Sequence, residues 1–162
     1  MSGDFEHELD LGRNWLESLS QFGFVKAAIE DHSEPFGDFW VKFRSSELDL
    51  AFVRDKGCVS VLVGPTAVSD VGFSQLDDLT HVLGALGEVG PGDVLTLDEL
   101  GSKFRKNYAK VLDVFTGAPP SGWSAAVKRF QRATLAKTAP HLLAALELHD
   151  SQYSGDENRR DK

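Results

Sequence analysis

Five histidines, His7, His32, His81, His141 and His149, and one cysteine, Cys58, are the side chains of this chain best suited to metal ligation or nucleophilic chemistry. No two histidines stand at HxH or HxxxH spacing, and Cys58 has no neighbouring thiol. Zinc-type patterns, which need paired ligands on one turn or helix face, are therefore missing. GxSxG, GxxxxGKS/T and GxGxxG are absent too, and glycine-rich "GALGEVGPG" follows a helical pattern rather than a strand, so it reads as a loop and not a phosphate cradle. No catalytic, metal or cofactor-binding residue is assigned, and the chain reads as a binding protein more than an enzyme.

Binding chemistry has better candidates. "EDHSE" gathers Glu30, Asp31 and Glu34 with a histidine and a hydroxyl, and reads as a loop before the first strand of a sheet. It could present carboxylates to a basic partner. Acidic residues also dominate 57–102, which holds no Lys or Arg but seven acids, among them Asp77, Asp78, Asp98 and Glu99. From Lys103 to Lys137 the balance reverses, with eight bases and one acid. Lys103, Lys106 and Lys110 form a basic stripe that reads as a solvated helix face or as an internal match for the acidic segment. Trp40, Lys42 and Arg44 share one sheet face with Ala51, Val53 and Leu62, which could clamp a ligand or partner, although opposite charges across the strands offset the two bases.

These residues must be carried by identifiable elements. Leu11, Trp15, Leu16, Leu19 and Phe22 share one helical face, and Gly23 is placed to end that helix. "GFVKAAIE" reads either as a short strand or as the helix end. Residues 39–64 read as an antiparallel meander. A turn at Ser45-Ser46 sets Phe43 opposite Leu48, Val41 opposite Leu50, Arg44 opposite Glu47, Lys42 opposite Asp49 and Trp40 opposite Ala51. A turn at Lys56-Gly57 sets Phe52 opposite Val61 and Leu50 opposite Val63. The core face then comprises Phe39, Val41, Phe43, Leu48, Leu50, Phe52, Val59, Val61 and Val63. Ser74 is placed to cap a helix carrying Leu76, Leu79, Val82, Leu83 and Leu86. Thr96 and Glu99 have capping-box spacing before a helix with Leu97, Leu100, Phe104, Tyr108, Val111, Leu112 and Phe115 on one face. Trp123 opens a last long helix that Pro140 should divide.

The expected fold is α+β: an antiparallel sheet of three to four strands, a meander over about 38–64, with an N-terminal helix and three or more C-terminal helices packed on it. One domain over 1–150 and a disordered polar tail over 151–162 suit a 162-residue chain. A lone cysteine, no apolar run of about 18–20 residues and an acidic opening "MSGDFEHELD" without an apolar stretch point to the cytoplasm. The net charge of −8 disfavours nucleic acid and anionic membranes as partners.

"WLESLSQFGF", then "DFWVKFRSSELDLAFVRDKGCVSVLVG", then a C-terminal helix running to "LELHDSQYSGD" together resemble small actinobacterial-type proteins similar to immunity proteins of polymorphic toxin systems. These pieces cover about half the chain, and the resemblance transfers no functional residue. It implies a cytoplasmic α+β binder that neutralises a protein partner without cofactor or catalysis. With the acidic segment, it sets the expectation of a non-enzymatic domain that holds a protein, such as a basic toxin domain. The alternative is a small-molecule site or enzyme with its pocket between sheet and helices, lined by Trp40, Arg44, Arg54 and "EDHSE".

Overall fold

A computed structural model describes residues 11–32, 38–66 and 76–154, with side chains except at 29–32, 38 and 150–154. Helix α1 spans Arg13–Gln21, followed by strands β1 (Val25–His32), β2 (Asp38–Arg44), β3 (Leu48–Asp55), β4 (Cys58–Pro65) and the two-residue β5 (Asp77–Asp78). Helices α2 (Leu79–Ala85), α3 (Leu97–Thr116), α4 (Trp123–Thr138) and α5 (Pro140–Ser154) complete the chain. The sheet is an antiparallel meander in the order β1-β2-β3-β4-β5. The α+β class and the N-terminal helix, meander and C-terminal helices are as the sequence indicates. The two extra strands flank the meander.

Local signals account for most boundaries. Gly23 adopts the left-handed conformation at φ 70°, and the Phe24 N–H reaches back to the Leu19 carbonyl while Gly23 bonds that of Ser20. This six-to-one, five-to-two closure ends α1 and turns Phe24 into the core at the start of β1. "GFVKAAIE" is thus strand. Lys56 and Gly57 both have positive φ, which gives the primed two-residue turn that matches strand twist. It sets Phe52 opposite Val61 and Leu50 opposite Val63, as the sequence predicts. Thr96 and Glu99 make both bonds of the capping box, and α4 and α5 divide at Ala139, just before Pro140.

The first hairpin differs from expectation. Its loop is Ser46-Glu47, because the Ser45 hydroxyl accepts the Leu48 N–H at 3.0 Å and the Ser45 N–H donates to the Leu48 carbonyl at 2.9 Å. Moving a two-residue loop by one position shifts the pairing by two. Arg44 therefore faces Asp49, Lys42 faces Ala51, and Trp40 faces Val53. A shift of two leaves every side chain on its expected face. Val59 departs from the expected core, being 38% exposed at the strand end. Cys58, at the start of β4, is exposed.

One face of the sheet packs on the helices. The Trp15 indole meets Phe52 edge-on at 5.0 Å and stacks on Phe104 at 5.6 Å, and its Nε1 donates to the Leu97 carbonyl. Gly101 permits that approach, since a Cβ there would lie 2.8 Å from the indole ring. Phe22 stacks on Tyr108 nearby. Helix α2 packs on β4 and carries α4, through Phe130 against Gly84, and α5 packs on α4.

Candidate functional site

The helix expected from Ser74 begins later. Ser74 lies outside the described residues, and the cap is Asp78, whose carboxylate accepts the Thr80 N–H at 2.8 Å. Asp77 and Asp78 are consequently sheet residues, paired with Val63 and Leu62, and not part of the expected helix. Burial raises the pKa of Asp77 above the usual aspartate value, while nearby His81 acts in the opposite sense.

Asp98 and Glu99 occupy the first turn of α3. Asp98 reaches the beginning of α1, where its carboxylate accepts the Asn14 side-chain amide at 2.9 Å and lies in line with the Asn14 backbone N–H at 3.4 Å. The residue preceding α1 is Gly12, which has no side chain to cap with and whose missing Cβ leaves room for that carboxylate. Asp98 thus caps a helix from 84 residues away. It sits between two helix N-termini, each carrying roughly half a positive charge. Glu99 bonds the Thr96 backbone N–H and hydroxyl, and those bonds lower its pKa.

The acids divide into two groups by what holds them. Asp49 is buried with both oxygens on Arg44, at 2.9 and 3.0 Å. Glu17 pairs with Arg13 and Arg105, and Glu88 pairs with Lys110 at 2.6 Å while its carbonyl accepts Lys103. The Lys110 bond lowers the Glu88 pKa. Part of the basic stripe is thus matched internally. Asp78, Asp93, Asp98 and Glu99 are held by backbone N–H groups, Asn14 or Thr96, all neutral donors. Among the described residues none of the four forms a salt bridge.

Two of these neutral-held acids share a recess of about 270 Å³ beside the outer side of β4. Val59, Ser60 and Val61 form one wall, Leu95, Leu97 and Leu100 another, and Asp78, Thr80 and Asp93 the polar part. Asp93 accepts the Gly90 N–H at 2.8 Å, which folds the glycine-rich loop against this site. The volume lies below the roughly 300–1,000 Å³ common for small-molecule pockets and suits one or two side chains. A second, open groove of about 610 Å³ lies along Pro119–Lys128 at the start of α4.

The other sequence candidates do not join this site. Trp40 is half-buried, and Arg44 is committed to Asp49. Their sheet face is largely shielded, with Lys42 8% and Ala51 0% exposed. Arg54 lies over the Phe39 ring. Trp40, Arg44 and Arg54 line neither recess. Glu30 and Asp31 belong to β1 instead of a loop, because the β1–β2 ladder extends through His32 opposite Asp38. Glu34 lies outside the described residues. Among the described residues no group of three His, Cys, Asp or Glu could hold a metal ion, and no helix is long and apolar enough to cross a membrane.

The sequence reading does not mark Asp93 or Leu95 as site residues, and it takes Leu97 and Leu100 as the apolar face of a helix. The signal available was the alternation of leucine and acid in "GDVLTLDEL", which the capping box obscured by accounting for Thr96 and Glu99 alone. No protein-family model, curated protein or solved structure matches the chain.

Proposed function

We propose that this chain is a non-enzymatic protein-binding domain, of the immunity-protein kind its sequence resembles, that holds a basic protein partner through the acidic surface at β5 and the beginning of α3. One observation carries the reading: Asp78, Asp93, Asp98 and Glu99 are held by neutral donors, and among the described residues none of them forms a salt bridge with a Lys or Arg. Fixed, unpaired charge of one sign accelerates encounter with an oppositely charged partner and makes binding fall with salt.

The test replaces charge without removing the caps. Asp78→Asn, Asp98→Asn and Glu99→Gln retain a side-chain acceptor while deleting the negative charge. The combined variant should capture the partner more weakly at low salt and show a shallower dependence of affinity on ionic strength. A partner held with unchanged affinity and unchanged salt dependence would remove the acidic surface from the account. In a neutralising complex, the partner's own activity should stop at one-to-one stoichiometry.

A further inference from the structure

The ladder between β4 and β5 stops early. β5 pairs only with Leu62 and Val63, because Asp78 caps α2 and the chain leaves the sheet at Leu79. Cys58 to Val61 continue β4 beyond that point, and among the described residues no strand lies on their outer side. Asp55 faces Cys58 across the two-residue turn, so Cys58, Ser60 and Leu62 direct their backbone N–H and C=O groups towards β3. Val59 and Val61 direct theirs the other way, into the recess. Natural sheets usually pair, cover or blunt such an edge. Here it borders a cavity whose far wall is leucine and whose rim is carboxylate.

We propose that this recess is a strand-addition site, in which an extended basic segment of a partner protein pairs with Val59 and Val61 in line with β5. The proposal rests on the protein-binding reading and names where on the partner the contact is made. The main-chain edge supplies affinity for any extended backbone, and alternate side chains supply selectivity. Apolar side chains of the added strand meet Leu95, Leu97 and Leu100, and basic ones meet Asp78 and Asp93. Each carboxylate uses one oxygen on a backbone N–H, and the second accepts no hydrogen bond among the described residues. Among the described residues no Lys or Arg lines the recess. A second copy of this acidic chain is a poor occupant, because edge-to-edge pairing would bring the same carboxylates together.

The probe is a capped peptide of alternating valine and lysine, added to the full chain, with backbone amide exchange followed by NMR. Exchange at the Val59 and Val61 amides should slow on binding. N-methylation of alternate peptide amides should weaken binding about tenfold, the effect of losing two backbone hydrogen bonds. Val59→Pro removes one outward N–H at a position where an edge strand tolerates proline, and should weaken binding about threefold, the effect of one backbone hydrogen bond, at an unchanged thermal midpoint. A valine–glutamate peptide should not bind. Undiminished binding of the N-methylated peptide to the native chain, protection elsewhere, or no binding of the lysine peptide overturns strand addition, whatever the stability of the proline variant. Self-association that Val59→Pro abolishes would give the edge to a second copy and overturn it equally. The broader reading is scored separately by the salt dependence of partner capture. A partner held equally well by the Val59→Pro chain leaves the acidic surface standing and removes the strand.

Discussion

Asp49 and Asp78 are aspartates of one sheet with opposite fates. Asp49 is fully buried at the β2–β3 hairpin, with both oxygens on the guanidinium of Arg44. Asp78 is half-buried beside β4 and uses one oxygen on a backbone N–H. A buried carboxylate requires a cation, since desolvating it alone is too costly. A half-buried one at a helix start is held by a neutral donor alone, here the Thr80 N–H. Total acidity therefore says little about where a partner is attracted. What matters is which acids the fold has already neutralised.

The largest expected effect lies at the hairpin. Arg44→Ala leaves Asp49 buried without its cation and should cost about 3 kcal/mol in denaturant unfolding. A cost below about 1 kcal/mol would mean that Asp49 is as loosely committed as Asp78, and the contrast would collapse. Next is Gly101→Ala, which forces a Cβ against the Trp15 indole and should cost about 2 kcal/mol. Because Leu97 and Leu100 sit on the same helix end, the displacement should also appear as NMR shifts along β4. Thr96→Ala removes half of the capping box and should cost about 1 kcal/mol. It would loosen the end of α3 while leaving Arg44–Asp49 intact.

Smaller effects separate the acids by pH. Glu88 and Glu99 have lowered pKa values in the folded chain, from the Lys110 and Thr96 bonds respectively. Their contribution is present above the unfolded value of about 4.3 and is lost as pH falls through the folded values. Asp77 has the opposite sign. Burial raises its pKa, so its ionisation opposes folding once pH rises through the raised value. Asp77→Asn should accordingly leave stability in acid unchanged and increase it slightly at neutral pH, read as thermal midpoints across about pH 3–7. The smallest stability effect belongs to Asp98→Asn and Glu99→Gln, which keep a capping acceptor, and their consequence should lie in the salt dependence of binding.

Sequence patterns of short range were legible. The strand faces, the Lys56-Gly57 turn, the Gly23 helix end, the Thr96–Glu99 box and the division before Pro140 each depend on residues within a few positions of one another. Register in the first hairpin was legible only to a multiple of two, because alternation fixes the face and not the pair. The Ser45 hydroxyl settled which loop forms. The candidate site was legible as an acidic segment and no further.

By itself the sequence determined the α+β class, the core face of the meander and the excess of acids between 57 and 102, since periodicity and composition are local properties. Tertiary structure alone decided that Asp98 caps α1, that Asp49 is neutralised by Arg44 and that Asp78 and Asp93 share a recess with Leu97. Each depends on groups brought together from distant segments or on a two-residue choice of loop, and no local pattern encodes the charge that remains after such pairings are made.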